Sequence, residues 1–473
     1  MLFRDLSFFR QTHGQLVETV PPDASFIFQI NDNETFVKTS TQLLPSLNDI
    51  LSMDAFPGFE FFMDKFPNGN GGVIISCHQN DDVKSLLFST KITESMFKQL
   101  LKTLRIDARN FIPFDNAKIY SFGTHYKKYN FIFHNNFFTV SEDIELLKKS
   151  IVQLKHPRNL LSNKSFSSLY DNIILKNNKQ NWLILNNKKY FEDLSLFLSE
   201  PYRSLGNHWG EISEWSAFLI KFNDKEINLS GYALNLSTFF RKFDNQQAVS
   251  GISTQIIPSK TPFYVAIKTP DPDFFAQNFN TLTEQKYQNA VNYFQLLKPV
   301  ANYSFSLQKD TITYHYLALE LDTNKSNIRS ILPDSLTAND EIKFQQYTIF
   351  KSKSGSFNPM LSATHNYTSM KYFTEYQGCY IFSDTTVALQ YYLQSIQQNN
   401  IGNQPLYKFS KSNLPTLNNY EFCFIASENE NIRKYSSEIA LRTNIGREIQ
   451  IFSYSFSAPE RGYVPINIYL KLR

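Results

Sequence analysis

Apolar residues along this chain fall into two kinds of pattern. Short aromatic and β-branched runs read as strands: Phe26–Ile30, Val73–Cys77, Ser85–Thr90, Phe137–Val140, Trp182–Leu185, Phe263–Ile267, Tyr303–Leu307, Thr313–Leu321, Cys379–Phe382 and Phe422–Ile425. Other stretches carry apolar residues three and four apart and predict helices. One runs through Phe36, Leu43, Leu44, Leu47 and Ile50. A second covers Glu94–Leu104, with Thr93 as N-cap and Met96, Leu100, Leu101 and Leu104 on one face. A third carries Ile144, Leu147, Ile151 and Leu154 and stops at Pro157. Short helices follow at Phe191–Leu198, Phe274–Leu282 and ahead of Leu332. Paired strands near Lys118–Phe122 and Asn130–Phe133, with a hairpin tip at His134-Asn135-Asn136, and the pair Trp215–Phe222 and Glu226–Leu234 give hairpin spacing. Hairpins dominate over βαβ crossovers, so the expected fold class is α+β, a mainly antiparallel sheet with helices packed on one side.

The pattern is written twice. Phe137-Phe138-Thr139-Val140-Ser141-Glu142-Asp143 and Cys379-Tyr380-Ile381-Phe382-Ser383-Asp384-Thr385 each bring a strand to Ser plus acid ahead of an apolar-periodic stretch, so each Ser is expected at a helix start. Glu142 and Asp143 are expected in the first turn, where carboxylates suit the positive end of the helix dipole. The match recurs in order: Phe26 with Phe263, Asn163–Leu169 with Asn403–Phe409, Asn181–Leu185 with Glu421–Ile425, and Glu226–Tyr232 with Glu448–Tyr454. A period this long exceeds the roughly 20–50 residues of solenoid units and fits two similar domains. The organisation read from it is a polar stalk over 1–20, a first α+β domain over 21–234, a join over 235–257 and a second domain over 258–473.

Composition narrows the partners. Apolar residues make up 42% of the chain and aromatics 15%, enough for packed cores. A net charge of +4 with interspersed signs lacks the basic face of a nucleic-acid binder, so no nucleic-acid partner is expected. Cys77, Cys379 and Cys423 lie in strand runs and read as core residues, without the CxxC spacing of zinc or redox motifs; a Cys379–Cys423 bridge would require neighbouring strands. No run approaches the ~18–20 apolar residues of a membrane span.

No catalytic motif stands out. The eight His are scattered, with no HExxH or HxH pair, and no GxSxG, GxxxxGK[ST] or GxGxxG occurs. Asn68-Gly69-Asn70-Gly71-Gly72 reads as a turn. Asp271-Pro272-Asp273 with Asp310 lacks the oxygen spacing of a calcium loop and suits a helix start better. One cluster gathers chemistry: His208, Trp209, Glu211, Glu214 and Trp215 put two Trp, a His and two carboxylates in one segment. It reads either as a glycan-handling surface or as a loop anchored by buried Trp. No catalytic residue, cofactor site or metal ligand is assigned.

The Pro22-Asp23-Ala24-Ser25-Phe26-Ile27-Phe28-Gln29-Ile30 opening and the Phe137–Asp143 junction resemble uncharacterised envelope proteins of Bacteroidetes-type bacteria. The resemblance implies an extracytoplasmic region behind a leader or membrane anchor, periplasmic or envelope location, and other envelope proteins as partners. It carries no activity and no site residue. The start, Met1–Arg10, has no signal-peptide core, so the leader is expected outside this chain, with a cytoplasmic location as the alternative. The expected function is a non-enzymatic binding or scaffold protein. The alternatives are a carrier for an apolar or glycan ligand and a hydrolase assembled around His208 and Glu211.

Overall fold

The computed structural model describes residues 15–31, 72–80, 83–123, 128–155, 159–190, 213–223, 225–234, 238–282, 294–322, 324–332, 340–352, 370–425 and 449–472. The chain divides into two compact units: Met1–Tyr190 with Glu214–Ile220, and Phe191–Ser213 with Lys221–Arg473.

The first unit contains β1 (Ala24–Ile30), β2 (Val73–Asn80), β3 (Val83–Lys91), β4 (Ile112–Phe114), β5 (Ala117–Gly123), β6 (Lys128–His134), β7 (Phe137–Ser141), β8 (Trp182–Asn186) and most of β9 (Trp215–Asn223). Its antiparallel ladders run β4-β5-β6-β7-β3-β2-β1-β8-β9. Asn135 and Asn136, both at positive φ, form the β6–β7 hairpin tip expected from the sequence, because Asn tolerates the left-handed region a tight hairpin needs.

The second unit contains β10 (Glu226–Leu234), β11 (Phe263–Lys268), β12 (Pro299–Lys309), β13 (Ile312–Leu321), β14 (Glu341–Phe344), β15 (Tyr347–Lys351), β16 (Tyr372–Tyr376), β17 (Cys379–Ser383), β18 (Tyr420–Ile425), β19 (Ile449–Phe456) and β20 (Tyr463–Leu472). Its ladders run β14-β15-β16-β17-β13-β12-β11-β18-β19-β20-β10. From β14 to β19 this order reproduces that of the first unit strand for strand.

Helices cover both faces of the sheets, not one. In the first unit, α1 (Glu94–Thr103) places Phe97 against Tyr120, Phe131 and Phe133. Meanwhile α2 (Ile144–Lys155) packs Leu146, Leu147 and Ile151 on Leu87, Ile119 and Ile132, which point from the opposite face. Phe97 takes the centre of the α1 apolar stripe, beside Leu100 and Leu101. Thr93 caps α1 as expected, accepting from Met96 N at 3.2 Å. The short α3 (Lys164–Leu169) buries Phe166 against Trp215, ring centroids 4.9 Å apart.

In the second unit, α4 (Thr238–Arg241) and α6 (Phe274–Leu282) bracket α5 (Ser253–Ile256). They are followed by α7 (Thr386–Gln398), the longest described helix of the unit, and α8 (Pro405–Asn413). Leu389, Tyr392, Leu393, Ile396 and Tyr407 share one core with Ile451 of β19, while Phe240 and Phe243 meet Phe456 on the other face of that strand.

Several boundaries differ from those read in the sequence. Within the expected stalk, Leu16, Val17, Thr19 and Val20 are buried, so the first core begins ahead of Pro21. Within the expected join, Phe240, Phe243, Ile256 and Ile257 are buried in the second unit. β10, expected to close the first domain, pairs with β20 from Glu226↔Lys471 to Leu234↔Tyr463. Ser141 and Ser383 end their strands, and the helices begin later. Asp143 caps α2, accepting from Glu145 N at 2.8 Å, and Thr385 caps α7, accepting from Ala388 N at 3.2 Å. A side-chain acceptor one residue before the first turn satisfies helix N–H groups that have no carbonyl partner. The helices expected at Phe36–Ile50 and Phe191–Leu198, and most of the Asn68–Gly72 turn, lie outside the described residues.

Candidate functional site

Two clusters of titratable side chains are built into the described structure, one in each unit. In the first, β2 carries Ser76 and His78 two residues apart, so strand geometry aims both at one face. Asp23, at the turn before β1, completes a chain: His78 Nδ1 lies 2.8 Å from Asp23 Oδ1, and Ser76 Oγ lies 2.8 Å from His78 Nε2. An ionised carboxylate only accepts, so Nδ1 carries the proton and donates. A neutral imidazole then accepts at Nε2, and the Ser76 hydroxyl donates to it. Lys149 of α2 donates to Asp23 Oδ2 at 3.0 Å, and Lys189, just past β8, donates to the Asp23 carbonyl at 3.1 Å. Burial pulls the Asp23 carboxyl upward, but the hydrogen bonds and charges of His78 and Lys149 outweigh it and hold the group well below the usual carboxylate range. Burial pushes the His78 imidazole below its ordinary value; Asp23 opposes this, and the charges of Lys149 and Lys189 reinforce it.

The distances are those of a serine–histidine–aspartate nucleophile relay. Access is not. Ser76 and His78 are both 0% exposed, and Leu87, the ladder neighbour of Ser76, lies beneath α2. A nucleophile must come within about 3–3.5 Å of a substrate carbon, which a sealed hydroxyl cannot do. The chain is an internal polar network.

In the second unit, Glu421 of β18 is 1% exposed. Its Oε1 accepts from Lys411 Nζ of α8 at 2.6 Å and from the Tyr264 hydroxyl. Its Oε2 faces Lys268 Nζ at 3.7 Å, an ion pair without a hydrogen bond. With its one hydrogen given to the carboxylate, Tyr264 accepts from the Tyr407 hydroxyl at 3.1 Å, and Tyr407 in turn lies 3.2 Å from Ser253 Oγ. Nearby, Tyr303 donates to Glu320 at 3.2 Å and accepts from Ile252 N. A Cβ on Gly251 would sit 2.6 Å from both Lys268 Cδ and the Tyr303 hydroxyl, so any other residue there must displace one of these side chains. Burial lowers Lys268 to about 8, partly offset by Glu421, and burial raises Glu320. Burial would raise Glu421, but Lys411 and Lys268 hold it down.

The residues singled out in the sequence fall elsewhere. His208, Trp209 and Glu211 lie outside the described residues. Trp215 is 1% exposed, and Glu214 is exposed, accepting from Asn163 Nδ2 at 2.8 Å. Asp271 accepts from Asp273 N at 2.9 Å, and Asp273 pairs with Lys298. Among the described residues, no group of three or more His, Cys, Asp or Glu is arranged to hold a metal. The three cysteines are buried thiols; Cys379 lies on β17 and Cys423 on β18, which are not ladder neighbours. Both built clusters escaped the sequence reading. The one local signal was Ser-x-His on a strand, which fixes a shared face.

No family model and no curated protein matches the sequence. Among solved structures, crystal form III of TP0453 covers 46% of this chain and 79% of its own at 10% identity, with a TM-score of 0.26. A likeness at that level supports no statement about fold or function.

Proposed function

We propose that the chain is a non-enzymatic binding or scaffold protein of the bacterial cell envelope, built from an internally duplicated α+β domain. The observation carrying the reading is where the chemistry sits. The hydroxyl, imidazole and carboxylate at the centre of the two clusters are shut in, with Ser76, His78 and Glu421 at most 1% exposed, and their partners Asp23, Lys149 and Lys411 reach solvent. Active sites need a reachable reacting atom, whereas buried and satisfied networks fix a fold. Duplication is supported by the common ladder order and by one repeated side-chain bond. Ser141 Oγ donates to the Leu86 carbonyl at 2.7 Å, and Ser383 Oγ donates to the His315 carbonyl at 2.8 Å. Envelope location rests on the resemblance of the Pro22–Ile30 opening and the Phe137–Asp143 junction.

The test is made on an epitope-tagged full chain in the bacterium that produces it. Protease added to cells with a permeabilised outer membrane should degrade the tag, and cross-linking should capture envelope proteins in fixed stoichiometry. A tag protected until the inner membrane is lysed retires the location. A purified chain that turns over an ester or glycoside retires the non-enzymatic reading.

A further inference from the structure

We propose that Asp23 is an acid-released latch, holding the entry of β1 against β2, α2 and the segment after β8 only while His78 is neutral. One residue gathers three elements: its carboxylate accepts from His78 of β2 and Lys149 of α2, and its carbonyl accepts from Lys189. Asp23 itself sits in the turn that joins Leu16–Val20 to β1.

The hydrogen-bond directions supply the sensitivity. Nε2 accepts from Ser76, so a proton arriving there converts the acceptor into a donor facing a donor. The Ser76 hydroxyl must turn away, and its hydrogen loses its partner in a site without solvent. An unsatisfied buried polar group costs its desolvation energy. The charged groups facing the ring are Asp23 from the turn, Lys149 from α2 and Lys189 from beyond β8. Two cations against one carboxylate oppose a third positive charge.

The imidazole is held below its ordinary value in the fold and titrates near 6.5 when released. The closed latch is therefore at full strength above that pH and weakens as pH falls through it. The depressed Asp23 carboxyl loses its contribution only in much stronger acid, so between pH 7.5 and 5.5 His78 acts alone. Over that window, the proton-binding factor of an ordinary imidazole favours the open state by up to about tenfold, the limit reached when the closed latch takes up no proton.

Hydrogen exchange of the full chain at pH 7.5 and 5.5, corrected for the intrinsic rate, reads this directly. Segments 16–30, 73–80 and 144–155 should lose up to about tenfold in protection at pH 5.5, whatever 299–321 does, because His315 in that stretch is itself held by burial at about 4. His78→Gln should abolish the difference. An unchanged wild type, or an equal response in His78→Gln, overturns the latch. If that variant does not fold, nitrogen NMR of the wild-type imidazole decides. Protonated Nδ1 with bare Nε2 at pH 7.5 is expected, and the opposite tautomer overturns the proposal.

Discussion

The two units share a strand order and fill it with opposite chemistry. Row for row, Ile184, Ile27, Ser76 and Leu87 of the first unit stand where Cys423, Tyr264, Phe305 and Tyr316 stand in the second. Two residues along, Trp182, Gln29, Ile74 and Ser89 answer to Glu421, Ala266, Tyr303 and Ala318. The polar serine of one row faces an aromatic counterpart, and the buried Trp of the next has a buried carboxylate in its place. By the same count, His78 corresponds to Leu307 and Lys268 to Asn31. A ladder order therefore tolerates either an apolar or an ionic filling at the same place, the carboxylate being held by Lys411, Tyr264 and Lys268.

The comparison can be broken most decisively at Glu421. Glu421→Ala leaves Lys268 buried and uncompensated, and should cost about 3–5 kcal/mol in denaturant unfolding. Adding Lys268→Met should recover a large part of that loss; no recovery would mean that Glu421 acts by filling space. At the matching place, Trp182→Ala should also cost about 3–5 kcal/mol, here by emptying a core aromatic that is 1% exposed. Exchange protection should fall mainly in β1 and β8 for the second change and in β11 and β18 for the first.

The pH response should differ next. Lys268 titrates at about 8 in the fold and near 10.4 when unfolded. Between those values the unfolded chain binds more protons, so stability rises with pH, by about 3 kcal/mol across the window for this group. Lys268→Met should remove that increment, read as the difference between the wild-type and variant stability curves, because the raised thiols of Cys379 and Cys423 give the whole molecule the opposite slope over the same range; a difference that does not change with pH places the titration elsewhere. The smallest effect tests the likeness itself. Ser141→Ala and Ser383→Ala each remove one hydroxyl-to-carbonyl bond in the same setting and should cost similar amounts, about 1 kcal/mol. A large disparity would show that the two junctions are alike only in outline.

Elements were easier to read in the sequence than their register. The Ser-acid junctions could be found because a strand must end and a helix must be capped there, which restricts residue types locally. The match of Trp182 to Phe422 was one residue out, since the ladders set Trp182 against Glu421. A one-residue slip changes the face of every side chain. Nothing in the sequence penalises it, because Trp182–Leu185 is apolar throughout and the buried residue that stands at the place of Trp182 is a glutamate. The match of Glu226–Tyr232 to Glu448–Tyr454 was out by a strand. β19 lies beside β18 as β9 lies beside β8, so β9 is its counterpart. The clusters were harder still. Asp23, His78 and Lys149 are far apart in the chain, as are Lys268 and Glu421, and only the folded sheet brings them together.

The distribution of sulfur gives the molecule its own reporters. Cys77 lies between Ser76 and His78 in the first unit, and Cys379 and Cys423 lie in the second, all three at most 1% exposed. Burial raises the thiol of Cys423 to about 12 and that of Cys379 higher still, so the closed protein presents neither thiolate nor surface to an alkylating reagent. A brief pulse of such a reagent therefore counts openings by mass, with one adduct marking the first unit and two marking the second. The chain can thus report which half has come apart without an engineered label.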